Sequence, residues 1–242
     1  MKIKYSVIIP CYNESSNLVN LLKSLECLVV RDDTEIILVE NGSLDDSRKI
    51  LEKLVQPQNT KIKVVYVDKN KGYGYGILQG IMVATGGYVG WIHADLQVNP
   101  TYLLEVFKVI ETNGRRPVFV KGKRRNRHFV EYIFSYGMSI FETILFKKVM
   151  YEVMAMPCMI PRKLLIYYIK RIPYDFSIDV FVYAIAIKHH VKTIHIPVDM
   201  KDRRDGISTW NTGFLSRIKQ SHKMIRGSIK VKRLLNVNMR SK

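Results

Sequence analysis

The segment from Tyr5 to Glu14 reads YSVIIPCYNE, an apolar run that ends abruptly in polar residues. A short run rich in Val and Ile predicts a buried strand, here Tyr5–Pro10. Leucines at helical spacing follow it directly: Leu18, Leu21, Leu22, Leu25 and Leu28. A strand followed by a helix with one apolar face is typical of the first half of a βαβ unit, so this segment favours a parallel sheet.

The same alternation continues through the first hundred residues. Further strands are predicted at Glu35–Val39, Val64–Val67 and Tyr88–Ile92, about one for every thirty residues. The helix after the second strand is predicted to begin at Ser43, with Asp46 completing a capping box. Its predicted buried residues are Ile50, Leu51 and Leu54. The pattern predicts an α/β fold with a mostly parallel central sheet and helices on both faces.

Polar residues follow each predicted strand. They are Tyr12, Asn13 and Glu14 after the first strand, Glu40, Asn41 and Ser43 after the second, Asp68 and Asn70 after the third, and His93, Asp95 and Gln97 after the fourth. Open α/β sheets bind ligands at the carboxyl ends of their strands. The sequence therefore predicts one binding site built from all four clusters.

The cluster His93-Ala94-Asp95-Leu96-Gln97 has the residue types of a metal site. Alternate residues at a strand end point the same way, which brings three ligand-capable side chains together. Carboxylate and amide oxygens suit Mg²⁺ or Mn²⁺, and an imidazole favours Mn²⁺. Such a metal would bridge the phosphates of a nucleotide. The alternative for His93 is that it packs inside or hydrogen-bonds a neighbour.

Glycines dominate the segment after the third predicted strand, where Gly72, Gly74 and Gly76 alternate with tyrosines. Glycine allows close backbone approach and positive φ, both useful around a phosphate. Lys69 and Lys71 would neutralise phosphate charge there. A tight strand-to-helix turn with close packing explains these glycines equally well.

Two carboxylates and one ring are candidates for nucleoside binding. Glu40 would accept an imino proton from a uracil or guanine base, Glu14 would hold ribose or base, and Tyr12 would stack on the base. The alternative for each carboxylate is a solvated cap.

The formal charge of +18 is the strongest compositional signal, and it favours polyanionic partners. The basic residues gather at 121–127 and from Arg217 onward. No nucleic-acid-binding motif accompanies them, so no nucleic-acid partner is expected. Three widely spaced cysteines suggest neither a disulfide framework nor a zinc site and fit a reducing compartment.

At 242 residues the chain is long enough for one full-sized core, predicted as a domain over residues 1–212 with a basic amphipathic tail over 213–242. Phe129–Phe146 suits a helix in a membrane interface or, alternatively, a buried helix. The tail suits an anionic membrane surface or an ordinary terminal helix with a solvated face. Both patterns point to a cytoplasmic protein held peripherally at the cytosolic face of a membrane, with oligomerisation possible.

Three motifs in this order resemble the family 2 glycosyltransferases of GT-A fold: SVIIPCYNE at 6–14, VENGSLD at 39–45 and ADLQ at 94–97. A later segment, RRDGIS at 203–208, resembles the R-x-x-G-x-S loop of the branch that contains dolichol-phosphate mannose synthases and related polyprenyl-phosphate sugar transferases. The resemblance spans about residues 5–210. Family members usually carry aspartate where this chain has Glu40 and His93.

The resemblance implies an inverting transferase that uses a nucleotide-sugar donor and a divalent metal. The residues implied in donor binding are Pro10, Tyr12, Glu14, Glu40, Asn41, Ser43, Gly72, Gly74 and Ala94. The implied metal site is His93, Asp95 and Gln97. Arg124 would approach the transferred group or acceptor phosphate, Arg203 would clamp the donor diphosphate, and Asp179 resembles an acidic residue near the acceptor.

The acceptor determines which of these residues is needed. A saccharide hydroxyl, as in polysaccharide or glycolipid synthesis, requires a general base such as Asp179 or Asp175. A polyprenyl phosphate is already anionic and requires none; the basic residues 123–127 would bind it. Two further hypotheses are an inactive nucleotide-sugar-binding protein and, from the charge alone, a nucleic-acid binder.

Overall fold

A computed structural model describes residues 2–56, 58, 61–126, 129–201 and 214–236. For residues 129–130 and 214–219 it describes the backbone alone.

The described residues form one seven-stranded sheet of order β3-β2-β1-β4-β6-β5-β7. Its strands are β1 (Tyr5–Cys11), β2 (Thr34–Asn41), β3 (Ile62–Val67), β4 (Tyr88–Trp91), β5 (Val118–Arg125), β6 (Cys158–Pro161) and β7 (Lys192–Asp199). Every pairing is parallel except those of β6, which runs antiparallel to both β4 and β5. The predicted α/β fold with a mostly parallel sheet is confirmed.

Helices fill the connections between these strands. They are α1 (Leu18–Ser24), α2 (Glu26–Val29), α3 (Ser47–Leu54), α4 (Tyr73–Val83), α5 (Tyr102–Thr112), α6 (Phe129–Phe146), α7 (Arg162–Tyr167), α8 (Ser177–Lys188) and α9 (Phe214–Asn236). All eight residues of β2 are buried, so both faces of the sheet are covered at this strand.

The four predicted strands agree with β1 to β4 to within two residues at each end. The predicted start of the helix after β2 is wrong. This helix begins at Ser47, because Ser43 instead belongs to the loop, where its N–H donates to Glu40 Oε1 at 2.6 Å. Leu51 is buried as expected, whereas Leu54 is 43% exposed and lies outside the core.

The C-terminal helix α9 packs against α6 and α8. Its buried residues include Ser228, whose Oγ donates to Glu142 of α6, and Gly227, which lies against Ser177 of α8. The apolar face of the predicted amphipathic tail therefore contacts the protein itself. The basic face remains exposed at residues such as Arg226 and Lys230. The division of the chain after residue 212 stays a prediction.

Candidate functional site

The loops after β1 and β2 are joined by hydrogen bonds at the carboxyl edge of the sheet. Asn13 N–H donates to Ser43 Oγ at 3.1 Å, and Asn13 Oδ1 accepts from Leu44 N–H at 2.8 Å. Next to them, Glu14 N–H donates to Ser47 Oγ at 3.0 Å. Because β1 and β2 are parallel neighbours, their polar ends meet as the sequence predicted.

Glu14 and Glu40 are both buried in these loops, at 8% and 1% exposure. Glu14 Oε2 accepts from Asn17 Nδ2 at 2.7 Å, and Glu40 Oε1 accepts from Ser43 N–H at 2.6 Å. Neither is a solvated cap. One oxygen of each carboxylate shapes its own loop, while Tyr12 beside them is 39% exposed and available for stacking.

The glycine segment is tied to the end of β2. Asn41 Nδ2 donates to the Gly72 carbonyl at 3.2 Å, and Asn70 Nδ2 donates to the Asn41 carbonyl at 2.9 Å. Gly72 has a φ of +117°, which favours glycine. A Cβ on Gly74 would lie 2.7 Å from the Asp175 carbonyl oxygen. These two glycines therefore permit close packing on the segment that leads into α8.

A small cavity of about 110 Å³ lies beyond the end of β4. It is lined by three of the predicted metal ligands, His93, Asp95 and Gln97, and by Arg124 at the end of β5. Asp95 Oδ1 accepts from Gln97 N–H at 3.1 Å, which bends the chain back on itself at Leu96, where φ is +58°. Residues from the ends of β4 and β5 are thus brought together. Ala94, between His93 and Asp95, is buried.

The donor set of this cavity fits a divalent cation that is shared with a diphosphate. No group of three His, Cys, Asp or Glu residues within the described ranges forms a complete protein site. Mg²⁺ and comparable hard cations commonly use one or two carboxylates together with substrate phosphates. Asp95 supplies such a carboxylate, and Gln97 and His93 add an amide and an imidazole. The ring of His93 also lies 5.3 Å from that of Tyr73.

Asp179 lies in the first turn of α8, is 1% exposed, and interacts electrostatically with His93 and Arg124 of the cavity lining. Its Oδ1 accepts from Trp91 Nε1 at 3.1 Å, and its Oδ2 has no hydrogen-bond partner among the described residues. Burial raises the pKa of the Asp179 carboxyl, while the charges of Lys121 and His93 oppose the rise. Asp175 is exposed, and its Oδ1 accepts from Ser177 N–H at 2.9 Å.

Lys121, the first residue of the basic segment 121–127, is buried. It is 0% exposed in the middle of β5, and its Nζ has no hydrogen-bond partner in the described part of the chain. A buried ammonium without a counter-charge is strongly unfavourable. The carboxylates of Asp179 and Glu142 interact electrostatically with Lys121 and supply that counter-charge.

Glu142 completes this buried group from α6, at 1% exposure. Burial raises its pKa to about 7, and the Asp179 carboxylate adds to the rise. The hydrogen bond from Ser228 and the charge of Lys121 act in the opposite direction. Neither this residue nor Lys121 carried a signal in the sequence, because their contacts join residues distant along the chain.

The raised pKa of Glu142 makes stability depend on pH. Its folded pKa exceeds the ordinary value of 4.5, so folding retains a proton that the unfolded chain releases. The resulting stability is present below pH 4.5 and is lost as pH rises through about 7. Glu142→Gln removes the titration but can still accept the Ser228 hydrogen bond. From pH 5 to pH 8 its unfolding free energy should rise relative to wild type by up to about 3 kcal/mol.

Urea unfolding across this pH range measures the difference. Glu105→Gln is the matched control, because Glu105 is exposed on α5 and its variant should follow the wild-type pH profile. A Glu142→Gln profile parallel to that of wild type would show that this carboxyl does not titrate there.

Several predicted residues remain outside this description. The described residues do not include Arg127, Arg203 or the rest of the R-x-x-G-x-S segment.

The structure also shows a contact of Glu152 that the sequence did not indicate. Its Oε2 accepts from Arg124 Nε at 2.7 Å. Its 28-residue separation from Arg124 left no local pattern from which to identify this contact.

Comparisons with known structures concern the fold. A crystal structure of a mycobacterial protein superposes with a TM-score of 0.73 and 14% identity, covering 95% of this chain and 74% of that one. Glucosyl-3-phosphoglycerate synthase from Mycobacterium tuberculosis, crystallised with Mn²⁺, uridine diphosphate and glucosyl-3-phosphoglycerate, gives a TM-score of 0.70 at 14% identity, covering 95% and 80%. The GT-A fold expected from the resemblance is confirmed.

Curated relatives match about half of the chain. The undecaprenyl-phosphate 4-deoxy-4-formamido-L-arabinose transferase of Proteus mirabilis (strain HI4320) is 33% identical over 126 residues, 51% of this chain and 38% of its own length. The protein of the same name from Sodalis glossinidius is 33% identical over 130 residues, 52% of this chain and 39% of its own length. This chain therefore spans well under half of these relatives.

The family comparison covers the part of the chain that builds the site. The model described as "Glycosyl transferase family 2" matches residues 6–163, from β1 through the start of α7. That range contains the loop network after β1 and β2, the glycine segment and the cavity with His93, Asp95, Gln97 and Arg124. The chain belongs to glycosyl transferase family 2.

Proposed function

We propose that this protein is an inverting glycosyltransferase that moves a sugar from a nucleotide-diphosphate donor to a polyprenyl phosphate. The observation that carries the proposal is the cavity in which Asp95 and Gln97 from one strand end meet Arg124 from another. An anion-binding side chain opposite a metal-binding carboxylate is the arrangement that a departing diphosphate requires.

The donor nucleoside would bind across the ends of β1 and β2. Tyr12 is exposed for stacking on the base, and the buried carboxylates of Glu40 and Glu14 accept hydrogen bonds within the adjoining loops. Pro10, Asn41 and Ser43 frame the same edge, and the backbone of Gly72 and Gly74 borders it. Ala94 would present its backbone to the ribose or phosphate.

Asp95 and Gln97, with His93, would hold a divalent cation, Mn²⁺ or Mg²⁺. When bound, the cation neutralises charge on the diphosphate as it leaves. Solved structures that share the fold were crystallised with Mn²⁺ or Mg²⁺ and uridine diphosphate, which supports the presence of a metal at this edge.

The side chain of Arg124 would bind a phosphate in the cavity through charge-assisted hydrogen bonds. An oxygen of the acceptor attacks the anomeric carbon while the bond to the diphosphate breaks on the opposite face, which inverts the configuration. Arg203, outside the described residues, would add a second positive charge to the diphosphate.

The burial of Asp179 favours a phosphate acceptor. A general base has to lie within hydrogen-bond reach of the hydroxyl that it deprotonates. Asp179 is 1% exposed, is bonded to Trp91, and does not line the cavity. Transfer to a phosphate needs no base, and relatives that match about half of this chain are named as undecaprenyl-phosphate transferases. Transfer to a saccharide hydroxyl is the alternative, with exposed Asp175 as base.

A lipid acceptor requires contact with a membrane, and we propose that α6 provides it. Among the described side chains of α6, the two buried ones are polar, Ser139 and Glu142. Its outer face exposes an apolar stripe, which we call the α6 stripe: Tyr132, Ile133, Tyr136, Ile140 and Ile144. Exposed apolar stripes mark interaction surfaces.

Charge indicates which membrane the stripe would meet. Lys147 and Lys148 are exposed directly after α6, and α9, packed against it, exposes further lysines and arginines. Basic residues beside an apolar helical face fit an anionic lipid surface, as at the cytosolic face of a membrane. Among the helices of the described residues, none is long and apolar enough to cross a bilayer.

The transfer reaction tests the main proposal. Purified protein is given UDP-, GDP-, CDP- or dTDP-linked radiolabelled sugars, undecaprenyl phosphate in detergent, and Mn²⁺, Mg²⁺ or chelator. One nucleotide class should yield a labelled lipid whose sugar–phosphate bond is cleaved by mild acid, and chelator should abolish it. Asp95→Asn should lower the rate on the order of 100-fold or more, because it weakens charge stabilisation of the leaving group.

Asp46→Asn is the matched control, since Asp46 is an exposed carboxylate at the start of α3 and its variant should keep wild-type activity. A parallel reaction offers a saccharide acceptor in place of the lipid phosphate, and an acid-stable labelled saccharide there would support the hydroxyl alternative. Metal-dependent donor binding without transfer to either acceptor would indicate an inactive binding protein. Binding of nucleic acid without any donor binding would contradict the transferase proposal.

The α6 stripe predicts binding to anionic vesicles. The protein should sediment with phosphatidylglycerol vesicles, more weakly at high salt, and poorly with phosphatidylcholine alone. Replacing exposed isoleucines with glutamate, as in Ile140→Glu/Ile144→Glu, should weaken partitioning at least about tenfold through loss of apolar contact and added repulsion.

Val30→Glu is the control, because Val30 is 79% exposed outside α6. Equal weakening by Val30→Glu, or none by the α6 variant, would exclude the α6 stripe as the membrane contact.

A further inference from the structure

Glu152 lies in the loop between α6 and β6 and belongs to none of the motifs. It is 3% exposed, and its Oε2 accepts from Arg124 Nε at 2.7 Å. The side chains of this ion pair are 2% and 19% exposed, so both are largely removed from water. An ion pair in such surroundings has a well-defined geometry, unlike most surface pairs.

The hydrogen bond from Arg124 to Glu152 engages the inner nitrogen of the guanidinium, and its two terminal nitrogens can bind another ligand. Arginine has five N–H donors in a rigid planar fork, and Glu152 engages Nε. The two terminal nitrogens retain the donors that suit a phosphate. Arg124 lines the cavity with His93, Asp95 and Gln97, which places a guanidinium whose terminal nitrogens have no hydrogen-bond partner among the described residues at the candidate site.

The backbone around Glu152 is fixed from several directions. Glu152 has a φ of +53°, which is unfavourable for a residue with a side chain by about 1–2 kcal/mol. Its carbonyl accepts from Ala155 N–H at 2.9 Å, and the Tyr151 carbonyl is bonded to His195 Nε2 of β7 at 3.1 Å. A strained conformation held in place by surrounding bonds is typical of functional sites.

We propose that Glu152 is a positioning residue: its buried carboxylate fixes the Arg124 guanidinium so that the terminal N–H groups bind a phosphate in the cavity. The inference rests on the proposed function for the identity of that phosphate. Glu152 itself does not contact substrate. Its effect on transfer passes through Arg124.

A double-mutant cycle measures this dependence. Glu152→Gln keeps the size and a hydrogen-bond acceptor but removes the charge. With the donor and lipid acceptor of the transfer assay, it should lower kcat/KM about 10- to 100-fold, since small displacements of a catalytic group have effects of this size. In an Arg124→Gln background the same change should have no further effect.

The matched control is Glu52→Gln, which makes the identical change in an exposed Glu–Arg48 pair with an Nε–Oε1 distance of 3.2 Å. It should leave kcat/KM unchanged. If Glu152→Gln has the kcat/KM of the wild type and only a lower Tm, the ion pair contributes to stability alone and the proposal is overturned. Additive losses in the double variant would also overturn the proposal, because they would mean that Glu152 acts independently of Arg124.

A second measurement separates this inference from the proposed function. In ¹⁵N-labelled protein the Arg124 Nε–H resonance, assigned by its loss in Arg124→Lys, should exchange slowly with water and shift on Glu152→Gln. If wild type transfers no sugar, the proposed function fails and this resonance still decides the positioning. An unchanged Arg124 Nε–H resonance in Glu152→Gln would overturn the positioning role. If Glu152→Gln does not fold, rapid exchange of this resonance with water in the wild type would overturn it instead.

Discussion

Four parallel strands end at the same edge of the sheet, and the whole candidate site depends on that constraint. Because β1 pairs in parallel with both β2 and β4, and β2 with β3, the residues after each strand converge regardless of their separation in sequence. Hydrogen bonds of Asn13 and Glu14 with residues that follow β2 then join the ends of these two strands. Loop residues alone would not hold such an arrangement.

The opposite side of the site depends on buried charge. Lys121, Asp179 and Glu142 come from β5, α8 and α6, and their mutual compensation allows each to lie out of water. The same α6 that contributes Glu142 inward exposes apolar residues outward. The helix proposed to contact lipid, α6, therefore also contributes a side chain to the buried charged group of Lys121, Asp179 and Glu142.

Much of the fold and part of the site could be predicted from sequence because they depend on local patterns. The Val- and Ile-rich runs of β1 and β2 determine their own strands, and the polar residues after them fall at the sheet edge by topology. The predicted helix start at Ser43 was wrong because Ser43 and Leu44 are hydrogen-bonded to Asn13 of the preceding loop. Asp45 Oδ1 instead accepts from the N–H of Ser47, where the helix begins. The burial of Lys121 left no local pattern, because the carboxylates of Asp179 and Glu142 that interact with it come from α8 and α6. The bonds Trp91–Asp179 and Arg124–Glu152 join residues 88 and 28 positions apart, beyond any sequence period.

Crystallography of the protein with Mn²⁺ and the nucleoside diphosphate that it binds tests the central claim most directly. The anomalous signal of Mn²⁺ locates the metal independently of the protein atoms. The account predicts one peak about 2.1 Å from an Asp95 carboxylate oxygen, with the diphosphate between it and Arg124 and the base beside Tyr12 and Glu40. A metal bound away from Asp95, or a nucleotide bound away from the carboxyl ends of β1, β2 and β4, would contradict the account.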